Sequence, residues 1–179
     1  MTQRINVAKK GVPAMKAMAA VGSYLAKSAV ERRLLELVYY RVSQINGCAY
    51  CLDMHTKDLR ELGETEQRLY VLPAWREAPF YSDRERAALA WAEALTKLTG
   101  GIVPDEVYDA AMAQFSEEEL IDLTLAVNAI NNYNRINLAF PNTAVVGTTG
   151  RVYTPFNPIA LNDWDKSLIF TKYCMATPR

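Results

Sequence analysis

The sequence predicts an all-α chain, a helical bundle followed by an irregular C-terminal tail. Three observations carry that expectation. Apolar residues recur with the period of a helix from residue 13 to about 140, capping signals bracket those runs, and no alternating β pattern of useful length interrupts them.

The elements follow in order. A first helix is expected over residues 14–27, and a second over 30–45, through Leu34, Leu35, Val38, Val42 and Ile45. Asn46-Gly47 breaks the pattern and can cap a third helix from Cys48 to Leu62 that ends at Gly63. A short helix from Glu64 to Leu72 stops at Pro73. Ser82 with Glu85 forms a capping box for a helix ending at Gly100-Gly101, and Pro104 suits the first turn of the next. Ser116 with Glu119 repeats the box for a long final helix reaching about Phe140. That helix carries Asn128, Asn131, Asn132, Asn134, Arg135 and Asn137 among apolar residues, and buried amides need partners, so interhelical or intersubunit hydrogen bonds are expected there.

From Pro141 onward the helical period is lost. The aromatic residues Tyr153, Phe156, Trp164, Phe170 and Tyr173 predict an extension that docks rather than one left free, because disordered segments are poor in such residues. The division expected is a helical domain over 1–140 and an irregular extension over 141–179.

Composition narrows the function classes. The 179 residues suit one globular unit, and 20 basic residues balance 20 acidic ones, which argues against a nucleic-acid or an anionic-membrane partner. Pro13, Lys16 and Lys27 interrupt the apolar N-terminal stretch, so a secretory leader is not expected, and no run reaches the roughly 18 apolar residues of a membrane span. A cytoplasmic location is expected. Half the residues are hydrophobic, and together with Trp75, Trp91 and the amide-rich helix they predict more apolar surface than one subunit needs, hence a homo-oligomer.

The three cysteines are too few for a disulfide framework. Cys174 stands alone and reads as a spectator thiol. Cys48 and Cys51 do not. On a helix, positions three apart have Cα atoms about 5 Å apart, within reach of a disulfide. His55, the single histidine, lies four residues beyond Cys51 and seven beyond Cys48, so the three side chains share a face and the imidazole should lean back over Cys51. Both cysteines fall in or near the first turn, where unpaired N–H groups and the helix dipole favour a thiolate. Two plainer readings stay open: a structural pair, or a zinc site using two thiolates, an imidazole and a carboxylate. Glu36 by itself reads as a solvated carboxylate, because Leu34, Val38, Val42 and Ile45 cluster on the other side of its helix.

These residues resemble the alkylhydroperoxidase D-like (AhpD-like) group of the carboxymuconolactone decarboxylase superfamily. Its signature is a Glu, eleven intervening residues, and then C-x-x-C-x-x-x-H, matched here by Glu36, Cys48, Cys51 and His55. The segment Ser43 to Cys51 is also similar to the peroxidase-related single-domain branch. The resemblance implies an all-helical subunit assembling as a homotrimer or homohexamer, and a peroxidase that reduces hydroperoxides through the cysteine pair at the expense of a dithiol or protein reductant, with no cofactor and no metal. It implies that Cys51 is the peroxidatic thiol, Cys48 the resolving thiol and proton donor, and His55 with Glu36 the proton relay. The best-known members place an imidazole between the cysteines, where this chain has Tyr50. The alternatives carried forward are a thiol–disulfide oxidoreductase acting on a protein or lipoyl partner, a zinc-binding structural module, and a lactone decarboxylase, the last disfavoured because such members generally lack the pair.

Overall fold

Glycine and proline punctuate this chain, and the helices begin and end where those residues and the caps require. The computed structural model describes residues 4–141. The expected extension beyond Pro141, its aromatic residues and Cys174 lie outside the described residues. All regular structure among the described residues is helical: α1 Val7–Lys10, α2 Val12–Leu25, α3 Arg32–Asn46, α4 Ala49–Glu61, α5 Glu66–Val71, α6 Asp83–Lys97, α7 Asp105–Met112 and α8 Glu117–Ala139. Short 3-10 turns at Leu72–Ala74 and Thr99–Gly101 link α5 to α6 and α6 to α7.

Both predicted capping boxes are present. Ser82 Oγ accepts from the Glu85 N–H while Glu85 Oε2 accepts from the Ser82 N–H, and Ser116 and Glu119 repeat the exchange. Pro104 precedes α7 as its N-cap rather than sitting inside its first turn. The helix α1, with Asn6 capping the Lys9 N–H, has no counterpart in the sequence reading, since four residues are too few to show a period.

The described residues divide into two compact units, residues 28–135 and residues 4–27 with 136–141. In the second of these, α2 buries Met15, Ala19 and Leu25 along one stripe, and Arg4 Nη1 donates to the Ala139 carbonyl at 3.3 Å.

The unit 28–135 holds the chemistry. Within it α3 packs against both α4 and α6. Leu37, Leu59, Leu69, Leu72, Trp75, Tyr81 and Leu89 form its core, each contributing on the order of 1.5–3 kcal/mol by leaving water. Beside that core, Glu93 accepts from Arg41 Nε at 2.8 Å, Trp75 Nε1 at 2.9 Å and Arg76 Nη1 at 2.9 Å. Burial pushes the Glu93 carboxyl up, but Trp75, Arg76 and Arg41 outweigh it and hold the group down at about 2. The indole of Trp91 likewise donates to Thr124 Oγ1 at 3.0 Å, tying α6 to α8. Trp75 and Trp91 are both buried, so the surplus apolar surface that the sequence suggested does not come from them. Among the described residues, no helix is long and apolar enough to cross a membrane.

Candidate redox site

The site begins with the turn that ends α3. Gly47 takes the left-handed conformation at φ 69°, which an L side chain adopts only with strain. Its N–H reaches the Gln44 carbonyl and the next N–H, of Cys48, reaches the Ser43 carbonyl. This paired closure is a Schellman motif. It hands the chain straight into α4 with Cys48, in extended backbone, as the N-cap. Cys51 is therefore the third residue of α4, and His55 follows one turn later, as the spacing predicted.

Neither Cys48 nor Cys51 is in a disulfide, and both are buried, with 1% of each residue exposed. The Cys48 thiol is lowered from its ordinary 9.0 to about 7. The Cys51 side chain is the main cause, through a hydrogen bond to the Cys48 sulfur; burial opposes it, and the Cys51 backbone N–H, the charge of His55 and the side-chain amide of Asn134 reinforce it. The Cys48 sulfur completes no full capping bond as a thiol; the turn is arranged to favour the anion. Tyr50, between the cysteines, has its hydroxyl pushed up to about 12 by burial and then by the charges of Cys51 and Cys48, so it stays protonated near neutral pH.

His55 is fully buried, and its Nδ1 lies 2.8 Å from Glu36 Oε2. Glu36 is only 1% exposed, which corrects the solvated placement drawn from its helical projection. Residues 34–39 of α3 are all buried, because α4 covers one flank of the helix and α6 another, and a helix buried all round has no polar face to assign. When Nδ1–H is donated to the carboxylate, Nε2 is the acceptor end of the ring, and that atom is buried with no hydrogen-bond partner. The Tyr39 ring stands 5.3 Å from the imidazole, centroid to centroid, with its hydroxyl also buried and unpartnered. Burial, and next the Glu36 charge, raise that hydroxyl well above the usual tyrosine range.

Asp58, one turn beyond His55, was not signalled by the sequence. Its carboxyl is raised to about 6 by burial and by Glu36, against the pull of His55. One ligand atom each from Glu36, His55 and Asp58 fall within 4.8 Å of one another, a grouping that could hold a metal ion. It shares the imidazole and a carboxylate with the zinc alternative but has neither thiolate.

Two of the α8 amides, those of Asn131 and Asn134, find partners within the subunit. Asn46 Nδ2 donates to Asn131 Oδ1 and to Asn134 Oδ1, both at 2.9 Å, and Asn134 Nδ2 donates to Ser43 Oγ at 3.1 Å. Interhelical bonding was expected of these residues. That one of them reaches the Cys48 sulfur was not, since no spacing rule links residue 134 to residue 48.

Comparison with known proteins gives concordant matches. Residues 13–94 match the carboxymuconolactone decarboxylase family. The uncharacterised Bacillus subtilis protein YdfG is 45% identical over 144 residues, covering 80% of this chain and 98% of that protein. The crystal structure of an Agrobacterium tumefaciens protein of unknown function, suggested to be the antioxidant defence protein AhpD, superposes with a TM-score of 0.77 at 41% identity, over 82% of this chain and 100% of that one. An uncharacterised peroxidase-related protein from Silicibacter sp. superposes with a TM-score of 0.64 at 26% identity, over 80% and 75% of the two chains.

Proposed function

The chain belongs to the carboxymuconolactone decarboxylase family, in its AhpD-like group, and from that premise we propose that it is a thiol-dependent peroxidase reducing hydroperoxides through Cys48 and Cys51. The observation that carries the reading is the buried His55–Glu36 contact on the helix that opens with the two cysteines, with Nε2 left as a free acceptor.

In this reaction His55 Nε2 takes the Cys51 proton, and Glu36 holds the tautomer and stabilises the imidazolium. The Cys51 thiolate attacks the terminal peroxide oxygen. An S–O bond forms, the O–O bond breaks, and the alkoxide leaves with the proton returned by His55, so sulfur loses two electrons and the peroxide becomes an alcohol. Cys48 then attacks the Cys51 sulfur; the S–S bond forms, the S–OH bond breaks, and water departs with the Cys48 proton. A dithiol reductant restores the two thiols by exchange and becomes a disulfide itself.

Trapping on a Cys48→Ser variant treated with one equivalent of hydroperoxide tests this. Mass spectrometry is expected to locate the sulfenic acid on Cys51. Oxidation confined to Cys174 ends the proposal.

A second reading has its own support. Thiol–disulfide exchange with a protein or lipoyl partner would use Cys48 as the attacking thiol, and Cys48 is the cysteine drawn down to about 7, near the optimum for an attacking thiol. Second-order rates with a hydroperoxide and with a disulfide separate the two chemistries. Assembly as a homotrimer or homohexamer is part of the same proposal, supported by exposed apolar side chains such as Tyr70, Ile102 and Ile121. Sedimentation is expected to give three or six subunits; monomer alone at micromolar concentration contradicts it. A cytoplasmic location completes the proposal, with fractionation as its check.

A further inference from the structure

An amide side chain carries a donor end and an acceptor end, so one amide oriented by an unambiguous partner orients the next it touches. The chain of amides beside Cys48 has such an origin. The Val127 carbonyl can only accept, and Asn131 Nδ2 donates to it at 2.9 Å and to Thr96 Oγ1 at 3.1 Å. Asn131 must therefore turn Oδ1 toward Asn46. Asn46 answers with Nδ2, whose two hydrogens go to Asn131 Oδ1 and Asn134 Oδ1. Asn134, its oxygen now committed, has only its NH2 left for the other side, where it meets Ser43 Oγ and the Cys48 sulfur. Asn134 and Ser43 are fully buried and Asn131 nearly so, so no bulk water stands ready to substitute. Reversing any member would set oxygen against oxygen or leave a buried donor facing a donor, at a cost of about 1–3 kcal/mol for each unsatisfied group.

We propose that Asn134 is a further functional residue, its amide hydrogen stabilising the Cys48 sulfur whenever that atom carries negative charge, and that Asn46 and Asn131 are the positioning residues that keep this donor pointed at it. The role applies where Cys48 acts as nucleophile toward Cys51, and again where it leaves as a thiolate during reduction. The purpose rests on the thiol chemistry proposed above; the interaction does not. The titratable groups near Cys48 are Cys51, Tyr50 and His55 on α4 and, from α3, Glu36 behind His55. What α8 presents is the neutral Asn134.

The test follows the ionisation of Cys48 in a Cys51→Ser background, by iodoacetamide alkylation against pH. Adding Asn134→Leu, which keeps the side-chain shape and deletes the donor, is expected to move the midpoint up by roughly half a unit. Well below the midpoint the thiolate fraction then falls roughly threefold, while the high-pH plateau rate stays the same. A folded variant with an unmoved midpoint overturns the assignment, and a change of plateau alone would mean packing rather than a donor. Should the leucine variant fail to fold, the Cys51→Ser chain itself decides: the side-chain amide resonances of Asn134 must shift with the midpoint of Cys48, and resonances that ignore it refute the proposal. A chain inert to hydroperoxide that still shows the shift loses the peroxidase reading and keeps the amide, and the reverse outcome does the opposite.

Discussion

His55 Nδ1 stands 2.8 Å from Glu36 Oε2, and neither side chain reaches solvent. The contact bridges α3 and α4, so a carboxylate in the second turn of one helix decides the orientation of an imidazole two turns into the other. Away from water the pair is more than a surface ion pair, whose worth is usually below about 1 kcal/mol. Its two members are not equivalent, because one can be silenced without leaving its partner unsatisfied and the other cannot.

Glu36→Gln keeps the shape and an acceptor oxygen for Nδ1–H but removes the charge that stabilises an imidazolium. The fold is expected to lose only about 1 kcal/mol, while hydroperoxide turnover falls roughly 100-fold. His55→Ala strands the Glu36 carboxyl in the interior without its partner and is expected to cost about 3–5 kcal/mol. Urea denaturation with turnover measurements on both variants checks the pattern. Equal stability losses, or turnover unchanged in Glu36→Gln, contradict it.

That pair also marks how far the sequence could be read. Element order, both capping boxes and the place of Cys51 and His55 one turn apart on α4 were legible, because each rests on short-range spacing, whereas Cys48, expected on the helix, stands before it in extended backbone as the N-cap. The burial of Glu36 was not legible from a helical wheel, which assumes one polar face. The signal that could have found it is composition: residues 34–40 read Leu-Leu-Glu-Leu-Val-Tyr-Tyr, apolar on every side with a lone charge, as expected of a helix enclosed by neighbours. Only the family spacing pointed to Glu36. Asn134 and Asp58 act through partners that no local pattern names, and Asp58 escaped notice because a carboxylate beside Lys57 on an amphipathic helix looks solvated.

Cys48 makes stability depend on pH in a defined window. The folded thiol ionises near 7 and the unfolded one near 9. Between those values the unfolded chain holds more protons, so the reduced protein gains stability as pH rises and loses it as pH falls through the folded value. The full gain is at most about 2–3 kcal/mol. Reduced wild type should therefore pull away from Cys48→Ser in urea midpoint between about pH 6 and 9. A constant difference across that range contradicts the assignment.

Asp58 works in the opposite sense. Its folded carboxyl is raised to about 6 from 3.8, so below 3.8 the shift favours the fold, and that advantage is lost as pH rises through 6. Asp58→Asn removes the cost of a crowded, half-buried charge. Allowing for its partial exposure, the variant is expected to be more stable than wild type by on the order of 1 kcal/mol at pH 7 and to gain nothing near pH 3.5. Thermal melts at the two pH values decide. A variant destabilised at both would mean that Asp58 serves as an indispensable partner rather than a strained one.

Gly47 connects backbone conformation to the ionisation of a thiol. A Cβ at position 47 would meet nothing within 4 Å, so crowding plays no part and the whole cost of Gly47→Ala is the left-handed backbone at φ 69°, about 1 kcal/mol. A β-branched residue tolerates that conformation less well. Gly47→Val is expected to cost more than Gly47→Ala and to relieve its strain by opening the Schellman closure. The Cys48 N–H would then leave the Ser43 carbonyl, and the sulfur would drift from the first turn of α4, from Cys51 and from Asn134. The thiol should rise from about 7 toward its ordinary 9.0 in Gly47→Val, and by less in Gly47→Ala. Alkylation of Cys48 against pH in both variants measures this. If stability falls in that order while the Cys48 midpoint stays put, the turn shapes the helix junction and the sulfur owes its ionisation to its neighbours alone.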